Sequence, residues 1–200
     1  MKLYIVGAGG FGKEIRAWII EYGLPYTFAG FLDDISDHPD VVSSISSHEV
    51  DSDAAYMIAL GDGAARVRLL DSLSQRGAKV IPIVSPIGSS SSKLNDIGGI
   101  YLGFYSIASD STIGRCVLIQ GFACVGHDVV LDDGVSLGSH VFVGGNSSIG
   151  KYSTIHPHAV ILPNLKIGEN VTVGAGSVVV RDVPDNVTVF GNPAKILMRK

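Results

Sequence analysis

The chain has 200 residues, enough for one large or two small domains, with 15 basic against 19 acidic side chains and a net charge of −4. It holds no basic cluster, which argues against a nucleic-acid partner. Despite a positive mean hydropathy it has no run of about 18 apolar residues that could span a bilayer. Cys116 and Cys124 show no metal-ligand spacing and read as reduced thiols. The first residues run straight into a strand-like segment without signal-peptide architecture, so a cytoplasmic location is expected. In chain order, residues 3–6 read as a strand, 7–12 as a glycine-rich turn and 13–22 as a helix with Ile15, Trp18, Ile19 and Tyr22 on one face. A second strand spans 28–32 and ends in Asp33-Asp34. Residues 37–53 are polar and Ser-rich and read as loop. A third strand, 55–60, ends in Gly61-Asp62-Gly63; a helix carrying Val67, Leu69, Leu70 and Leu73 follows, then a strand over 80–84.

Gly7-x-Gly9-x-x-Gly12 matches the dinucleotide fingerprint, with Asp33 lying 21 residues beyond Gly12. Such glycines let backbone N–H groups and a helix N-terminus approach a phosphate. Four strands leave room for one βαβαβ half of a dinucleotide site, so a mononucleotide-sized pocket is expected at the carboxyl ends of the strands. Gly7–Gly12 would face a diphosphate, and Asp33, Asp34, Gly61 and Asp62 would line its rim. The plainer alternative is a glycine turn that only packs helix on strand. A Pro- and Ser-rich break at 85–93 then marks a boundary. The expected plan is an α/β Rossmann-like half domain over 1–84, an entry segment over 85–100, a β-helix over 101–184 and a capping tail over 185–200. That tail would turn at Gly191-Asn192-Pro193 into a helical stretch.

The β-helix rests on a period of six. Counting from Tyr101, every sixth residue to Val179 gives fourteen positions, thirteen of them aliphatic, and the residue after each is glycine seven times. This is the signature of a parallel β-helix, with the glycine expected to accommodate the corner that follows each short strand. Three strands make a coil, so residues eighteen apart stack in columns. Cys124, Phe142, Val160 and Val178 then form an outward apolar ridge, and Phe122, His140, His158 and Gly176 a second column. The ridge suggests a closed cyclic oligomer, and a trimer suits a three-sided prism. Among the six histidines, His38 and His48 sit in the polar loop, while His156 is a corner residue without an evident role. His127 stands apart. A carboxylate, Asp128, lies beside it, with Gly145 stacked above and Ser109 below, so one flank is open to a ligand. An imidazole polarised by a carboxylate is the usual general base near neutral pH.

The six-residue repeat, together with the segments 6–12, 31–34, Gly126-His127-Asp128, Leu162-Pro163-Asn164 and Gly191-Asn192-Pro193-Ala194-Lys195, resembles the left-handed β-helix acyltransferases. The branch it resembles holds sialic acid O-acetyltransferase and the bacillosamine- and perosamine-type nucleotide-sugar N-acetyltransferases. The resemblance implies acetyl-CoA-dependent transfer to an amino group of a nucleotide-linked sugar by a homotrimer, with His127 as base and Asp128 orienting it. It places acetyl-CoA between adjacent β-helices, near Gly145, Gly174, Ala175, Asn192 and Lys195. The sugar nucleotide would lie against Gly9, Gly10, Asp33, Asp34, Gly61, Asp62 and Arg66, with Gln120 near the acceptor and His140 as a further contact. Neither a metal nor a covalent nucleophile is required. Alternatives are O-acetylation of a sialic-acid-like or other sugar hydroxyl, a non-catalytic trimeric β-helix, and an NAD-linked oxidoreductase built on the glycine motif. The stacked His140 and His158 also leave metal binding between subunits open.

Overall fold

The computed structural model describes residues 1–94 and 97–199. Asn95, Asp96 and Lys200, in the expected entry segment and tail, lie outside the described residues. The chain opens with β1 (Lys2–Val6), α1 (Gly10–Glu21), β2 (Thr27–Leu32), β3 (Val41–Ser43), β4 (Ala54–Ile58), α2 (Gly63–Gln75) and β5 (Lys79–Val80). The five strands form one parallel sheet in the order β3-β2-β1-β4-β5. Strands run outward in both directions from β1, so a crevice opens at their carboxyl ends on either side of its glycine turn. The segment expected to be loop thus supplies an edge strand, β3. It is short and half-exposed, and shows no alternation by which sequence could reveal it.

The expected strand over 80–84 is two strands in two sheets. Ile81 still donates its N–H to Tyr56 of β4, but Pro82 has none to give, and the ladder breaks there. Ile83–Val84 instead pairs with Ile100–Tyr101, and Ser89–Ser90 with Ser106–Ile107. Coil pairing therefore begins at Ile83, ahead of the expected start at Tyr101.

From Ile100–Tyr101 to Val178–Val179, fourteen two-residue strands follow at six-residue intervals and stack in register on partners eighteen residues away. They build three faces. The first carries Leu118–Ile119, Ser136–Leu137 and Thr154–Ile155; the second Cys124–Val125, Phe142–Val143 and Val160–Ile161; the third Val130–Leu131, Ser148–Ile149 and Lys166–Ile167. The second residue of each strand points inward, and Ile119, Leu131, Val143, Ile149 and Ile161 are fully buried. Each contributes about 1.5–3 kcal/mol by leaving water.

The corners work differently from expectation. The glycine after each strand is not in the left-handed region. At Gly126 a Cβ would lie 2.6 Å from the Gly145 backbone nitrogen, so close stacking of the next coil excludes a side chain. The left-handed residue comes two positions later, recurring at Asp110, Cys116, Phe122, Asp128, Gly134, His140, Asn146, Tyr152, His158, Asn164, Asn170 and Gly176.

The α/β domain seats on the first face. Ile83, Ile100, Leu102 and Leu118 share a core with Ile5, Met57 and Ala59. Beside it, Gly63 and Gly134 meet backbone to backbone: a Cβ on Gly63 would lie 1.9 Å from the Gly134 carbonyl oxygen. Arg115 adds ion pairs to Asp71 of α2 and to Asp133, both at 2.9 Å. At the far end the tail is a strand pair rather than the expected helical stretch. Val187–Phe190 extends the first face beside Thr172–Val173, and Lys195–Arg199 returns antiparallel to it, covering the open edge.

Candidate active site

The corner between the second and third faces carries His127. Asp128 occupies the left-handed position there, at φ 56°, a conformation its short side chain tolerates. Its carboxylate Oδ2 lies 2.7 Å from His127 Nδ1. With Nδ1 as the donor, Nε2 keeps a lone pair. The imidazole is 59% exposed, so that nitrogen is open to a ligand. Gly145 covers the ring from the next coil. A Cβ there would sit 2.8 Å from Nε2, which ties glycine at 145 to the position of the imidazole. Pro163 and Arg181 continue this column at intervals of eighteen. Arg181 opens onto a cleft of about 330 Å³ shared with Lys195, Pro193 and Asp182, which brings two cations to the top of the corner.

The α/β domain presents its glycine turn at the carboxyl edge of the sheet. Gly12 packs so tightly that a Cβ would meet the Gly7 carbonyl oxygen at 1.9 Å, whereas Gly9 and Gly10 face open space at the start of α1. That helix has no acidic residue in its first turn. Its free N–H groups and positive end favour an anion. Asp33 does not point out toward a ribose. Its Oδ2 accepts from the Ala8 N–H at 2.8 Å, and Oδ1 from Ile35 and Ser36 at 2.9 Å. Desolvation raises its carboxyl, but these three donors outweigh it and hold the group below the usual carboxylate range. Asp33 thus braces the glycine turn. Asp34 caps the loop through the Ile45 N–H, and Asp62 caps α2 through the Ala65 N–H at 2.6 Å. Both remain exposed.

Arg66 is placed where no nucleotide reaches it. It is fully buried, and its donors go to the carbonyls of Leu60, Gly61, Cys116, Gly134 and Val135 and to Ser136 Oγ. A guanidinium has five N–H groups, and all are engaged. Burial brings it down to about 10, so it is still a cation at neutral pH. The expected sugar-nucleotide contact is an interdomain clamp instead, because the β-helix corner closes over the start of α2. Burial likewise lifts the nearby Cys116 thiol to about 11, far from a thiolate.

Between the two domains lies a second cleft of about 330 Å³, running from Gly61 over Gln120, Ser136, Thr154 and His156. It unites two expected site residues, Gly61 and Gln120, with three that sequence reasoning left out. Column arithmetic could have found His156, which lies two coils above Gln120. Gly174 and Ala175 sit at the same corner as Gln120, and a Cβ on Gly174 would strike the Phe190 ring. His140 belongs to an exposed ladder along this edge, stacked on Phe122 at 4.8 Å and on His158 at 4.6 Å. One chain therefore does not bring all the expected residues together. The cleft opens on the first face, whereas His127 projects from the corner opposite that face. Among the described residues no group of three or more His, Cys, Asp or Glu side chains could hold a metal, and no helix is long and apolar enough to cross a membrane.

Comparison with known proteins agrees with this architecture. The PglD N-terminal domain family matches residues 2–73, and the Bacterial transferase hexapeptide (six repeats) family matches residues 146–181. No curated protein matches the chain. Among solved structures, the acetyltransferase domain of PglB from Neisseria gonorrhoeae FA1090, in complex with acetyl coenzyme A, is 28% identical. The match covers 98% of each chain with a TM-score of 0.79. A histidine-to-asparagine variant of perosamine N-acetyltransferase from Caulobacter crescentus, in complex with CoA and GDP-perosamine, is 26% identical over 99% of this chain and 97% of that one, with a TM-score of 0.81. WeeI from Acinetobacter baumannii AYE is also 26% identical, over 98% of this chain and 100% of its own, with a TM-score of 0.77. Over its whole length the chain is similar to left-handed β-helix, hexapeptide-repeat sugar acetyltransferases.

Proposed function

We propose that the protein transfers an acetyl group from acetyl-CoA to an amino group of a nucleotide-linked sugar. The observation that carries this reading is the His127–Asp128 pair, with Nδ1 held at 2.7 Å and Nε2 open beneath a glycine. The neutral amine attacks the thioester carbonyl and passes its proton to Nε2. The tetrahedral oxyanion collapses, the C–S bond breaks, and the imidazolium returns the proton to the CoA thiolate. Asp128 orients the ring through its contact with Nδ1. The Gly145 N–H, which donates to no group among the described residues, faces the oxyanion; one such donor is worth about 10²–10³ in rate. The chemistry thus needs neither metal nor covalent nucleophile.

Acetyl-CoA lies along the His127 corner, its phosphates at Arg181, Lys195 and Asn192 and its thioester at Gly145. The nucleotide of the acceptor sits on Gly9, Gly10 and the rim at Gly61, Asp34 and Asp62. Because the acceptor edge and His127 face apart within one chain, a neighbouring copy supplies the base. The apolar ridge of exposed Phe142 with half-buried Cys124, Val160 and Val178 supports association of three such prisms. Gly174, Ala175 and His140 then line the groove from the neighbour's side.

The reading is tested by thiol release from acetyl-CoA against a panel of amino-deoxy nucleotide sugars, with wild type and His127→Ala run in parallel. Turnover falling by about 10²–10⁴ in the variant, at unchanged melting temperature, is expected. Turnover unaffected by the substitution would remove His127 from the mechanism, and turnover only with hydroxyl acceptors would replace the amine.

A further inference from the structure

We propose that Ser111 is a positioning residue for the His127–Asp128 pair, its hydroxyl inserted into the turn that carries both side chains. The inference rests on His127 acting as the base and adds what fixes the geometry of that base. Several corners of the β-helix close by a direct hydrogen bond across the turn. The Ala123 N–H donates to the Gln120 carbonyl at 3.2 Å, Val135 to Asp132 at 3.3 Å, and Val141 to Gly138 at 3.3 Å. The His127 corner is built differently. Its Val129 N–H donates to Ser111 Oγ at 3.3 Å, and that hydroxyl donates in turn to the Gly126 carbonyl at 2.9 Å. Both directions are fixed by chemistry, because a carbonyl can only accept and a backbone N–H can only donate. The hydroxyl stands between the two ends of the turn, and His127 and Asp128 are the residues between those ends.

The difference does not come from the ladder between coils. The Asp128 N–H donates to the Ser109 carbonyl at 3.1 Å, just as His140 donates to Gly121 and Asn164 to Gly145. It comes from one side chain. Where a turn closes directly, the buried residue fifteen positions before it is apolar: Val117 beneath 132–135 and Ala123 beneath 138–141. Beneath 126–129 that residue is Ser111, a hydroxyl kept at the core although burial of a polar group is unfavourable unless it is bonded. Ser92 repeats the arrangement at the corner beneath. Its Oγ donates to the Ala108 carbonyl at 2.6 Å and accepts from the Ser111 N–H at 2.9 Å, so Ser111 is itself held. An inserted hydroxyl keeps the turn open and sets the angle at which its side chains leave the backbone. At that angle Asp128 Oδ2 comes to 2.7 Å from His127 Nδ1.

The test compares kcat, KM for acetyl-CoA and melting temperature in wild type, Ser111→Ala, Ser111→Thr and Ser153→Ala. Ser153 is the control. Its hydroxyl is inserted in the same way, between the Gly168 carbonyl at 2.8 Å and the Val171 N–H at 2.9 Å, at a corner on another edge of the prism. Ser111→Ala should let the turn close as it does above Ala123, so its melting temperature should fall no further than that of Ser153→Ala. It should still lower kcat about 10- to 100-fold with KM for acetyl-CoA unchanged, as expected of a base displaced by about 1 Å. Ser153→Ala should keep the wild-type rate. Ser111→Thr should recover most of the rate: it retains the hydroxyl, and the buried Val129 one coil above shows that the column admits a β-branched side chain. Because Ser111 acts through the pair, Ser111→Ala combined with Asp128→Asn should cost less than it does alone. The proposal is overturned if Ser111→Ala loses no more rate than Ser153→Ala, or if its effect on kcat is undiminished beside Asp128→Asn. It is equally overturned if Ser111→Ala fails to fold or melts far below Ser153→Ala, since the hydroxyl would then serve stability. Full turnover in His127→Ala would instead remove the underlying reading, a failure seen in a different variant.

Discussion

Both domains bring backbone close to backbone through glycines, but only the β-helix adds a repeated left-handed corner that other side chains can occupy. In the α/β domain each close approach is made once, by a particular glycine: Gly12 against Gly7, and Gly63 against Gly134 across the domain junction. In the β-helix every coil repeats the same three corners, and the left-handed position is filled by Asp, Asn, Cys, Phe, Tyr and His as well as by Gly. A non-glycine residue there costs about 1–2 kcal/mol. The cost is spread over a ladder in which each strand is paired above and below, and over a core aligned residue on residue. The repeat thereby frees its corner side chains for chemistry, and the catalytic pair sits on such a corner. A glycine fixed by sterics has no such freedom.

The comparison is broken most sharply at Asp128. Asn is at home in the left-handed region, so Asp128→Asn should leave the melting temperature alone. It should still lower kcat by about 10- to 150-fold, the worth of about 1.5–3 kcal/mol for a charge-assisted hydrogen bond. Loss of stability in that variant would show that the corner, too, depends on its side chain. Gly63→Ala should do the opposite. Its Cβ lands on backbone that no rotamer change can clear, so denaturant unfolding should record a loss of about 1–3 kcal/mol. Gly145→Ala lies between the two cases, because the obstacle is the mobile imidazole of His127. Here kcat should fall by about tenfold or more with little change in melting temperature, as expected for a misplaced base. The smallest effect belongs to the α/β domain. Desolvation, reinforced by the Arg76 cation, lowers the pKa of His48, which bonds Tyr56 Oη at 2.9 Å. The unfolded chain therefore takes up a proton more readily than the folded one, and stability present above the ordinary value of 6.5 should decline as pH falls below it. Denaturant midpoints at pH 7.5 and 5.5 measure this, and His48→Gln should reduce the difference.

How much of this was legible in the sequence follows the same division. The register of the coils could be read without error, because a buried period of six leaves its aliphatic residues on every turn. The left-handed positions could not, since Cys116, Phe122 and Tyr152 carry no signal for that backbone. His127 and Asp128 were visible as neighbours on the chain. Arg66 was misread. The resemblance places it against the sugar nucleotide, but its burial is created by residues 116 and 134–136, far along the chain. Ser136, His156 and Arg181 were missed because their meaning lies in columns and in the domain junction. Asp33 was recognised, but its three backbone donors were not foreseeable from its spacing.

The coil ladder has one more consequence: it is a ruler with a fixed graduation. From His127 to Arg181 are three full coils, and each coil advances by one strand spacing, so the two lie about 14 Å apart along the axis. The span can change only in steps of about 4.8 Å, because any insertion other than eighteen residues would turn Arg181 and the tail onto a different edge. The length of molecule that fits between the base and the cationic tail is thus counted in whole turns of the chain.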